Sequence, residues 1–253
     1  MNVTKINNWE IFMFETENYI IKLAETEKEY KNLFRLRYFD LLKYYNKEYS
    51  NDEEEDRDEY DKYCDHLILI DKQKDEVIGT YRLIKSEHLT ELKTFLTEKE
   101  FNIDPLKKYN ILEVGRAVVK EEHRSGIVIM LLWKAVITYA VENNIDYMIG
   151  TASFQGVDPN PYADAFTYLG DKFLSPEEIR CEVNKESYLP LKQKDSYDAL
   201  EAKKQLPPLV KGYINLGASI GNGVFADIPF NSLDVLIVLK IKEINERYLK
   251  RLL

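Results

Sequence analysis

The sequence has few of the residues that build metal sites or disulfide frameworks. Its 253 residues include only two cysteines, Cys64 and Cys181, and three histidines. Neither residue type clusters at a spacing typical of metal ligands. We therefore predict no metal and no disulfide, and the absence of disulfides is typical of a protein of the cytosol. We also predict no bound cofactor.

A basic surplus and a long apolar run are missing as well. The formal net charge is −9, which argues against nucleic-acid binding because that function needs a basic face. The richest apolar run, Ile127 to Val141, is interrupted by Lys134 and is shorter than the roughly 20 residues of a membrane span. The composition, 45% apolar and 31% charged, is that of a soluble globular protein.

The middle of the chain predicts a βαβ unit. A strand from Leu112 to Val119 is followed by a charged turn, an apolar helix from Arg124 to Asn143 and a second strand from Asp146 to Thr151. Such an order places the two strands parallel, with the helix crossing over them. The fold class predicted is α/β with a mixed sheet.

The flanking segments predict further elements around this unit. On the N-terminal side we predict a strand at Tyr19 to Glu25, a helix at Glu27 to Tyr45 and a hairpin formed by residues 66–70 and 77–84. On the C-terminal side the predictions are a strand at 179–183, a polar connector at 192–205, a strand at 234–239 and a basic helix at 242–252. We place a domain boundary near residue 190, so that 1–190 is the main domain and 191–253 an extension.

Charged residues stand out within the predicted strands and beside them. Glu113 and Arg116 lie in the first strand of the βαβ unit, and a bulge at Gly115 would turn both toward one cleft. Arg82 is a charge in an apolar strand, and eight carboxylates occupy the ten residues from 52 to 61, including Asp58 and Asp61. Fixed charges of both signs suit an amino-acid pocket. The alternatives are that the acidic run is a solvated loop, mobile when empty, and that Arg82 pairs with a structural acid. Glu113 would then be a surface residue and Arg116 would pair elsewhere.

Two further positions are candidates because of where they lie in the predicted unit. The turn before the crossover helix offers Arg124 and the backbone N–H groups beside Gly126 to a phosphate. Ser153 follows the second parallel strand, where open α/β sheets hold ligands. Each of these residues is as readily explained by a purely structural role.

Several motifs together resemble one family. They are Arg35-Leu-Arg-Tyr-Phe39, Asp58-Glu-Tyr-Asp-Lys-Tyr-Cys-Asp-His-Leu67, Gly79-Thr-Tyr-Arg-Leu83, Glu113-Val-Gly-Arg116, Ala152-Ser-Phe-Gln-Gly-Val-Asp158 and Leu206-Pro-Pro-Leu-Val-Lys-Gly-Tyr213. The set resembles the ornithine-acyl carrier protein N-acyltransferases, often labelled hemolysin-like, of the GNAT N-acyltransferase superfamily. The resemblance implies a bacterial enzyme of ornithine-lipid biosynthesis with a GNAT fold and a C-terminal extension.

The resemblance also implies roles for individual residues. Glu113 and Arg116 would be the catalytic residues, with Glu113 as the base. Arg82 or Arg116 would hold the substrate carboxylate, while Asp58 and Asp61 could attract a cationic side chain such as that of ornithine. The N–H groups of Val118 and Val119 would polarise the thioester, while Arg124 and Gly126 would bind the phosphate of the acyl donor. The substrate-binding residues implied are Arg35, Phe39, Asp58, Asp61, Arg82 and Ser153.

The donor implied is the phosphopantetheine thioester of acyl carrier protein. Acetyl-CoA users of this fold carry further small residues after the arginine that opens the helix, but here Arg124 is followed by Ser-Gly-Ile-Val-Ile. This departure weakens the CoA interpretation, because a carrier arm presents a single phosphate. Docking candidates for the acidic carrier are Lys120 with Arg124, and the basic terminal helix, which could instead contact the membrane surface.

Two other functions remain open from the sequence. The same first-half residues resemble the acyl-homoserine lactone synthases, which share the fold and the carrier-bound donor, although the Leu206–Tyr213 motif belongs to the lipid-forming branch. The third option is a non-catalytic relative that binds an acyl carrier or a lipid. Retention of Glu113, Arg116 and Arg82 counts against this third option.

Overall fold

The computed structural model describes residues 4–5, 13–124, 126–184 and 197–245. The strands are β1 Thr4–Lys5, β2 Met13–Glu15, β3 Tyr19–Leu23, β4 Asp65–Asp71, β5 Glu76–Lys85, β6 Phe101–Asn102, β7 Ile111–Val119, β8 Tyr147–Gln155, β9 Glu182–Val183, β10 Ser219–Ile220, β11 Phe225–Asp227 and β12 Ser232–Lys240. The α-helices are α1 Glu27–Arg37, α2 Lys43–Tyr45, α3 Leu89–Leu92, α4 Gly126–Glu142, α5 Ala163–Lys172, α6 Ala199–Gln205 and α7 Pro208–Leu216.

The chain forms two compact units, and β7 contributes to both. The first unit contains the described residues up to Leu92 together with Val114–Asn143. The second contains Lys93–Glu113 and the described residues from Asn144 onward. The boundary predicted near residue 190 falls among residues 185–196, outside the described part, and stays a prediction.

In the first unit, antiparallel strands support a helix layer. Strands β1 to β5 pair in sequence order, and β5 is followed by the C-terminal part of β7. Helix α1 begins with a capping box, in which Thr26 accepts from the N–H of Glu29 and the Glu29 carboxylate accepts from the N–H of Thr26. Its buried face, with Leu33 and Phe34, packs against Ile68, Val77 and Val118.

Helix α1 runs directly into a π-helix, Tyr38–Leu42, which the sequence pattern did not predict. The sequence predicts one helix from Glu27 to Tyr45, and the structure divides that span into α, π and α segments. One extra residue in a turn shifts the side chains that follow it around the axis, and such turns are frequent at functional sites. The π-helix leaves Phe39 45% exposed.

In the second unit, the sheet is mixed. Strand β7 pairs in parallel with β8 through Ile111–Glu113, as the βαβ pattern predicts, and β8 pairs antiparallel with β12 along its full length. Strands β10 and β11 both pair with β12. The parallel pair beside antiparallel neighbours confirms the predicted mixed α/β class.

Two C-terminal predictions have different outcomes. Part of the polar connector predicted at 192–205 is wrong, because residues 199–205 form α6. This helix is capped by Asp198, buries Ala202 and places Gln205 where it accepts from the N–H of Ala165. The basic helix predicted at 242–252 lies outside the described residues from position 246 onward. In the described part of the chain, no helix combines the length and the apolar character needed to cross a membrane.

Candidate active site

The first unit contains a ring of alternating charges, which we call the ion-pair ring. It consists of three arginines and three aspartates from α1, the acidic loop, β5 and β7, so that its formal charges cancel. In order around the ring these residues are Arg37, Asp61, Arg82, Asp58, Arg116 and Asp56.

Arg37 is the most deeply buried member of the ring. Its side chain is 0% exposed, Nη1 and Nη2 donate to Oδ1 and Oδ2 of Asp61 at 2.9 and 3.2 Å, and Nε donates to Oδ2 of Asp56 at 3.0 Å. This forked geometry is the strongest arrangement available to an arginine and carboxylates. The motif predicted a role for Arg35 but not for Arg37, although both lie in it.

Helical geometry explains why the two arginines differ. Residues two apart on an α-helix point in directions about 200° apart, so Arg35 faces outward when Arg37 faces the core. Arg35 pairs with Glu54 at 3.1 Å, and its guanidinium lies 5.3 Å from the centre of the Phe39 ring. These two predicted substrate residues are therefore neighbours on the exposed side of the helix.

The acidic loop is less solvated than its composition suggests. Asp56 and Asp61 are buried, so the interpretation of this run as a solvated loop is wrong for these two residues. Burial by itself raises the pKa of the Asp56 carboxyl, but the charges of Arg116 and Arg37 outweigh it and hold that pKa below its ordinary value. Burial also raises the pKa of Asp61, and Arg37 and Arg82 again reverse the effect. Both carboxylates stay ionised at neutral pH.

Arg82 lies in β5 opposite His66 of β4 and is also buried. Its Nη1 donates to Asp58 at 2.7 Å and to Asp61 at 3.2 Å. Burial lowers the pKa of the guanidinium, yet the two carboxylates raise it above its ordinary value. The charge predicted from an apolar strand is thus neutralised inside the ring.

His66 supports the ring without carrying charge. Its Nε2 lies 2.9 Å from the backbone oxygen of Asp61, and the rings of Tyr30 and Phe34 stand edge-on to the imidazole. Burial lowers the pKa of His66, so the neutral form donates to the carbonyl and fixes the end of the acidic loop.

Arg116 completes the ring from β7, and its backbone is strained. Its φ is +51°, in the left-handed region, whereas Gly115 was the predicted position of the irregularity. Strain of this kind costs about 1–3 kcal/mol and is concentrated at functional sites. Its Nε lies 2.9 Å from Oδ2 of Asp56, but this N–H has no aligned acceptor among the described residues.

Glu113 lies in the second unit and is buried. The backbone N–H of Thr97 donates to its Oε2 at 3.3 Å. The shared cleft predicted for Glu113 and Arg116 stays a prediction.

The predicted donor residues lie around the start of α4. Arg124 donates from Nε to the Val119 carbonyl at 3.0 Å and from Nη2 to the Asp40 carbonyl at 3.2 Å, and it stacks over Tyr44. Val118 is a core residue, and Gly126 is exposed at the first position of the helix. An added Cβ at Gly126 would meet nothing within 4 Å, so the structure gives no steric reason for glycine there.

Ser153 lies beside an acidic cluster in the second unit that the sequence did not predict. It pairs across the sheet with Asp234, whose buried carboxylate also accepts from the Ser232 hydroxyl at 3.0 and 3.2 Å. Carboxylate oxygens of Asp234, Asp227 and Glu100 lie within 4.8 Å of one another, close enough for one cation. The prediction that the protein binds no metal stays a prediction.

Asp234 gives this cluster an unusual proton affinity. Burial, together with the charge of Asp227, raises the pKa of Asp234 to about 6, although the hydroxyls of Ser153 and Ser232 act in the opposite direction. A carboxyl with a raised pKa stabilises the fold below its unfolded pKa near 4, and that stability is lost as the pH rises through about 6.

We therefore expect Asp234→Asn to raise the free energy of unfolding at pH 8 relative to wild type. Because the pKa of Asp234 lies about 2 units above its value in the unfolded chain, the change in the free energy of unfolding is at most about 3 kcal/mol. Urea unfolding at pH 4, 5, 6, 7 and 8 measures the difference, which should grow up to about pH 6 and then level off. Asp227→Asn should lower the pH at which the wild-type chain loses this stability, because it removes the negative charge beside Asp234. A difference between Asp234→Asn and wild type that does not depend on pH would contradict the raised pKa of Asp234.

Comparisons with known proteins identify the family. Residues 36–134 match the model described as "Acetyltransferase (GNAT) domain". The chain is 32% identical to an L-ornithine N(alpha)-acyltransferase of Rhodobacter capsulatus over 91% of this chain and 93% of that protein. It is 36% identical to the enzyme of the same name from Agrobacterium fabrum over 77% and 70% of the two chains. The chain belongs to the L-ornithine N(alpha)-acyltransferase family.

A solved structure agrees with this assignment at the level of the fold. The N-acyl amino acid synthase FeeM from uncultured soil microbes superposes with a TM-score of 0.50 at 13% identity, over 90% of this chain and 94% of that chain. Membership of the L-ornithine N(alpha)-acyltransferase family confirms the predicted GNAT fold and the predicted enzyme class. The protein is an N-acyltransferase, which requires an acyl donor and an amine acceptor.

Proposed function

We propose that this N-acyltransferase transfers a fatty acyl group, of the 3-hydroxyacyl type, from acyl carrier protein to the α-amine of ornithine. The product is an N-acyl amino acid, the lyso precursor of an aminolipid. The observation that carries the proposal is the 32% identity extending over 93% of a relative named for this acceptor and this position. The ion-pair ring supports it, because fixed charges of both signs suit a zwitterionic acceptor.

The chemical step requires a neutral amine. In the proposed reaction Glu113 removes a proton from the α-ammonium group, directly or through a water molecule. The amine nitrogen then attacks the thioester carbonyl, whose oxygen is stabilised by the N–H groups of Val118 and Val119. The C–N bond forms, the nitrogen gives up its second proton, the C–S bond breaks, and the leaving phosphopantetheine thiolate takes up that proton. Glu113 returns the first proton to solvent.

The start of α4 supports a carrier-bound donor. The first turns of this helix carry Ile127 and Met130 on the exposed side, where a wide glycine-rich cradle for a pyrophosphate would need small residues. Arg124 is held by two carbonyls with its side chain 37% exposed, and we infer that it contacts the single phosphate of the carrier arm. Lys120 beside it pairs with Glu76 and Glu122 and would exchange these partners for the acidic carrier.

The cellular location follows from the proposed donor and product. Acyl carrier protein is a cytoplasmic partner, so we infer a cytoplasmic enzyme. A product with a long acyl chain partitions into lipid, so we infer contact with the inner membrane surface during release. Vesicle co-sedimentation of the full chain measures this contact.

The reaction is tested by mass spectrometry of product mixtures. We expect 3-hydroxyacyl carrier protein, given a pool of ornithine, lysine, glutamine, glycine and S-adenosylmethionine, to yield N-acyl ornithine. The CoA thioester of the same acyl group is the matched donor control and should react far more slowly. An acyl-homoserine lactone, equal use of the CoA thioester or an unconsumed donor would contradict the proposal.

A further inference from the structure

The ion-pair ring has one weak edge. Five of its six contacts are between 2.7 and 3.2 Å. The sixth, between Nη2 of Arg116 and Oδ2 of Asp58, is 3.6 Å and too long for a hydrogen bond. A ring of alternating charges is therefore closed everywhere except between these two residues.

The weak edge is also the accessible edge. The side chains of Arg116 and Asp58 are 29% and 27% exposed, whereas Arg37, Asp56, Asp61 and Arg82 are at most 7% exposed. A ligand arriving from solvent meets one arginine and one aspartate with the rest of the ring behind them. From the sequence, Arg82 was as good a candidate as Arg116 for binding the substrate carboxylate, and Asp61 was as good a candidate as Asp58 for binding a cationic side chain. The deep burial of Arg82 and Asp61 now favours Arg116 and Asp58.

Both residues retain binding capacity. A guanidinium has five N–H donors; the Nε of Arg116 faces Asp56 at 2.9 Å, while its Nη2 lies 3.6 Å from Asp58, beyond hydrogen-bond distance. The Asp58 carboxylate accepts from the N–H of Tyr60 at 3.0 Å and from Arg82 at 2.7 Å. Two oxygens offer about four lone-pair positions, so this carboxylate can accept a further cation.

We propose that the weak edge is the acceptor subsite, where Arg116 binds the α-carboxylate and Asp58 binds the terminal ammonium of a basic amino acid. The inference rests on the proposed function, because it assigns the acceptor of that reaction. The charges agree with it: the ring is neutral, and ornithine whose α-amine has lost its proton carries one negative and one positive group. The α-amine stays outside both contacts and is free to attack.

The strained backbone of Arg116 fits this role. A backbone held at φ +51° persists only because the surrounding structure over-determines it. Asp56 fixes one side of the guanidinium through the 2.9 Å contact. The guanidinium is thereby preorganised, which reduces the ordering cost when a carboxylate binds.

Calorimetric binding to the full chain without an acyl donor tests the subsite. The ligands are ornithine, norvaline, which lacks the terminal ammonium, and 1,4-diaminobutane, which lacks the carboxylate. In wild type we expect both analogues to bind about 10- to 100-fold more weakly than ornithine, since each loses one charge-assisted pair.

Two substitutions separate the two contacts. Asp58→Asn, which keeps an acceptor for the N–H of Tyr60, should lower the ornithine affinity to that of norvaline while norvaline binding is unchanged. Arg116→Gln should lower the ornithine affinity to that of 1,4-diaminobutane. Glu59→Gln, which removes an exposed carboxylate from the neighbouring position in the same loop, is the matched control and should bind like wild type.

Other outcomes overturn the subsite. If wild type binds ornithine and either analogue with equal affinity, the subsite is wrong. This result needs no variant, so it holds even if a variant fails to fold. A parallel loss of ornithine and norvaline binding in Asp58→Asn, or no ornithine binding in wild type, overturns the subsite as well. Failure of the proposed function is a different result, because it appears as the wrong acylated product in the complete reaction while this affinity pattern is measured without donor.

Discussion

Replacement of Glu113 with glutamine is expected to lower kcat for acyl transfer by about 10²- to 10⁴-fold, the range typical of a general base. Glutamine keeps the size of the side chain and an oxygen that can accept from the N–H of Thr97, which Glu113 does at 3.3 Å. The substitution therefore removes proton transfer while it preserves the local packing. KM for ornithine should change little, because the proposed carboxylate and ammonium contacts are made by other residues.

Steady-state kinetics across pH measures this effect. Raising the pH should recover part of the Glu113→Gln activity, because a larger fraction of the α-amine is then neutral without help from a base. Glu91→Gln, at an exposed position in α3, is the control and should retain wild-type kcat. Wild-type turnover in Glu113→Gln would remove this residue from the base role, and a raised KM with unchanged kcat would make it a binding residue.

Replacement of Arg37 with methionine is expected to lower the free energy of unfolding by about 3–5 kcal/mol. Methionine is apolar and fills much of the space of the arginine side chain, but it leaves Asp56 and Asp61 buried with one cation fewer. Arg37 donates to both carboxylates from a fully buried position, and Arg82 and Arg116 are the remaining cations of the ring. The loss comes from uncompensated negative charge as well as from broken hydrogen bonds.

Arg35→Met is the matched control for this prediction. It makes the same substitution two residues earlier on the same helix, but its ion pair with Glu54 is about half exposed. Exposed pairs contribute about 0–1 kcal/mol, so urea unfolding should show only a small change. Equal losses for the two variants would show that the burial of Arg37 is not what makes it important.

The two predictions together distinguish a residue that takes part in the reaction from a residue that stabilises the fold. Glu113 is expected to affect the rate while the fold is retained, and Arg37 is expected to affect the fold that holds the other charges. Loss of Arg37 should also disturb Arg116, since Asp56 is their shared partner. We therefore expect Arg37→Met to lower acyl transfer through its effect on the ring, without a contact between Arg37 and either substrate.

Hydrophobic periodicity was sufficient to predict much of the secondary structure. The hairpin of β4 and β5 and the parallel β7 and β8 with α4 between them lie where the pattern predicts them. These elements bury continuous apolar faces, so their sequence period is strong. Helix α6 was missed because its seven residues present little apolar periodicity, and its burial depends on a contact with α5 that no local pattern reports.

The candidate site was only partly predictable, because charge type is local information and charge pairing is not. The sequence was enough to show that Arg82, Arg116, Asp58 and Asp61 are chemically suited to an amino-acid site. It also placed Arg37 two residues after Arg35, on a different face of the same helix. The fold was needed to show which of the eight neighbouring carboxylates is buried against which arginine.

The physical reason is the range of the interactions. Helices and strands form through contacts a few residues apart, so their period appears in the sequence. The partners of Arg37 lie 19 and 24 residues away, and burial turns weak surface attractions into strong fixed pairs only after the fold removes water. The sequence therefore determined the set of charges in this protein, and the tertiary structure decided which of them are neutralised and which pair remains for a substrate.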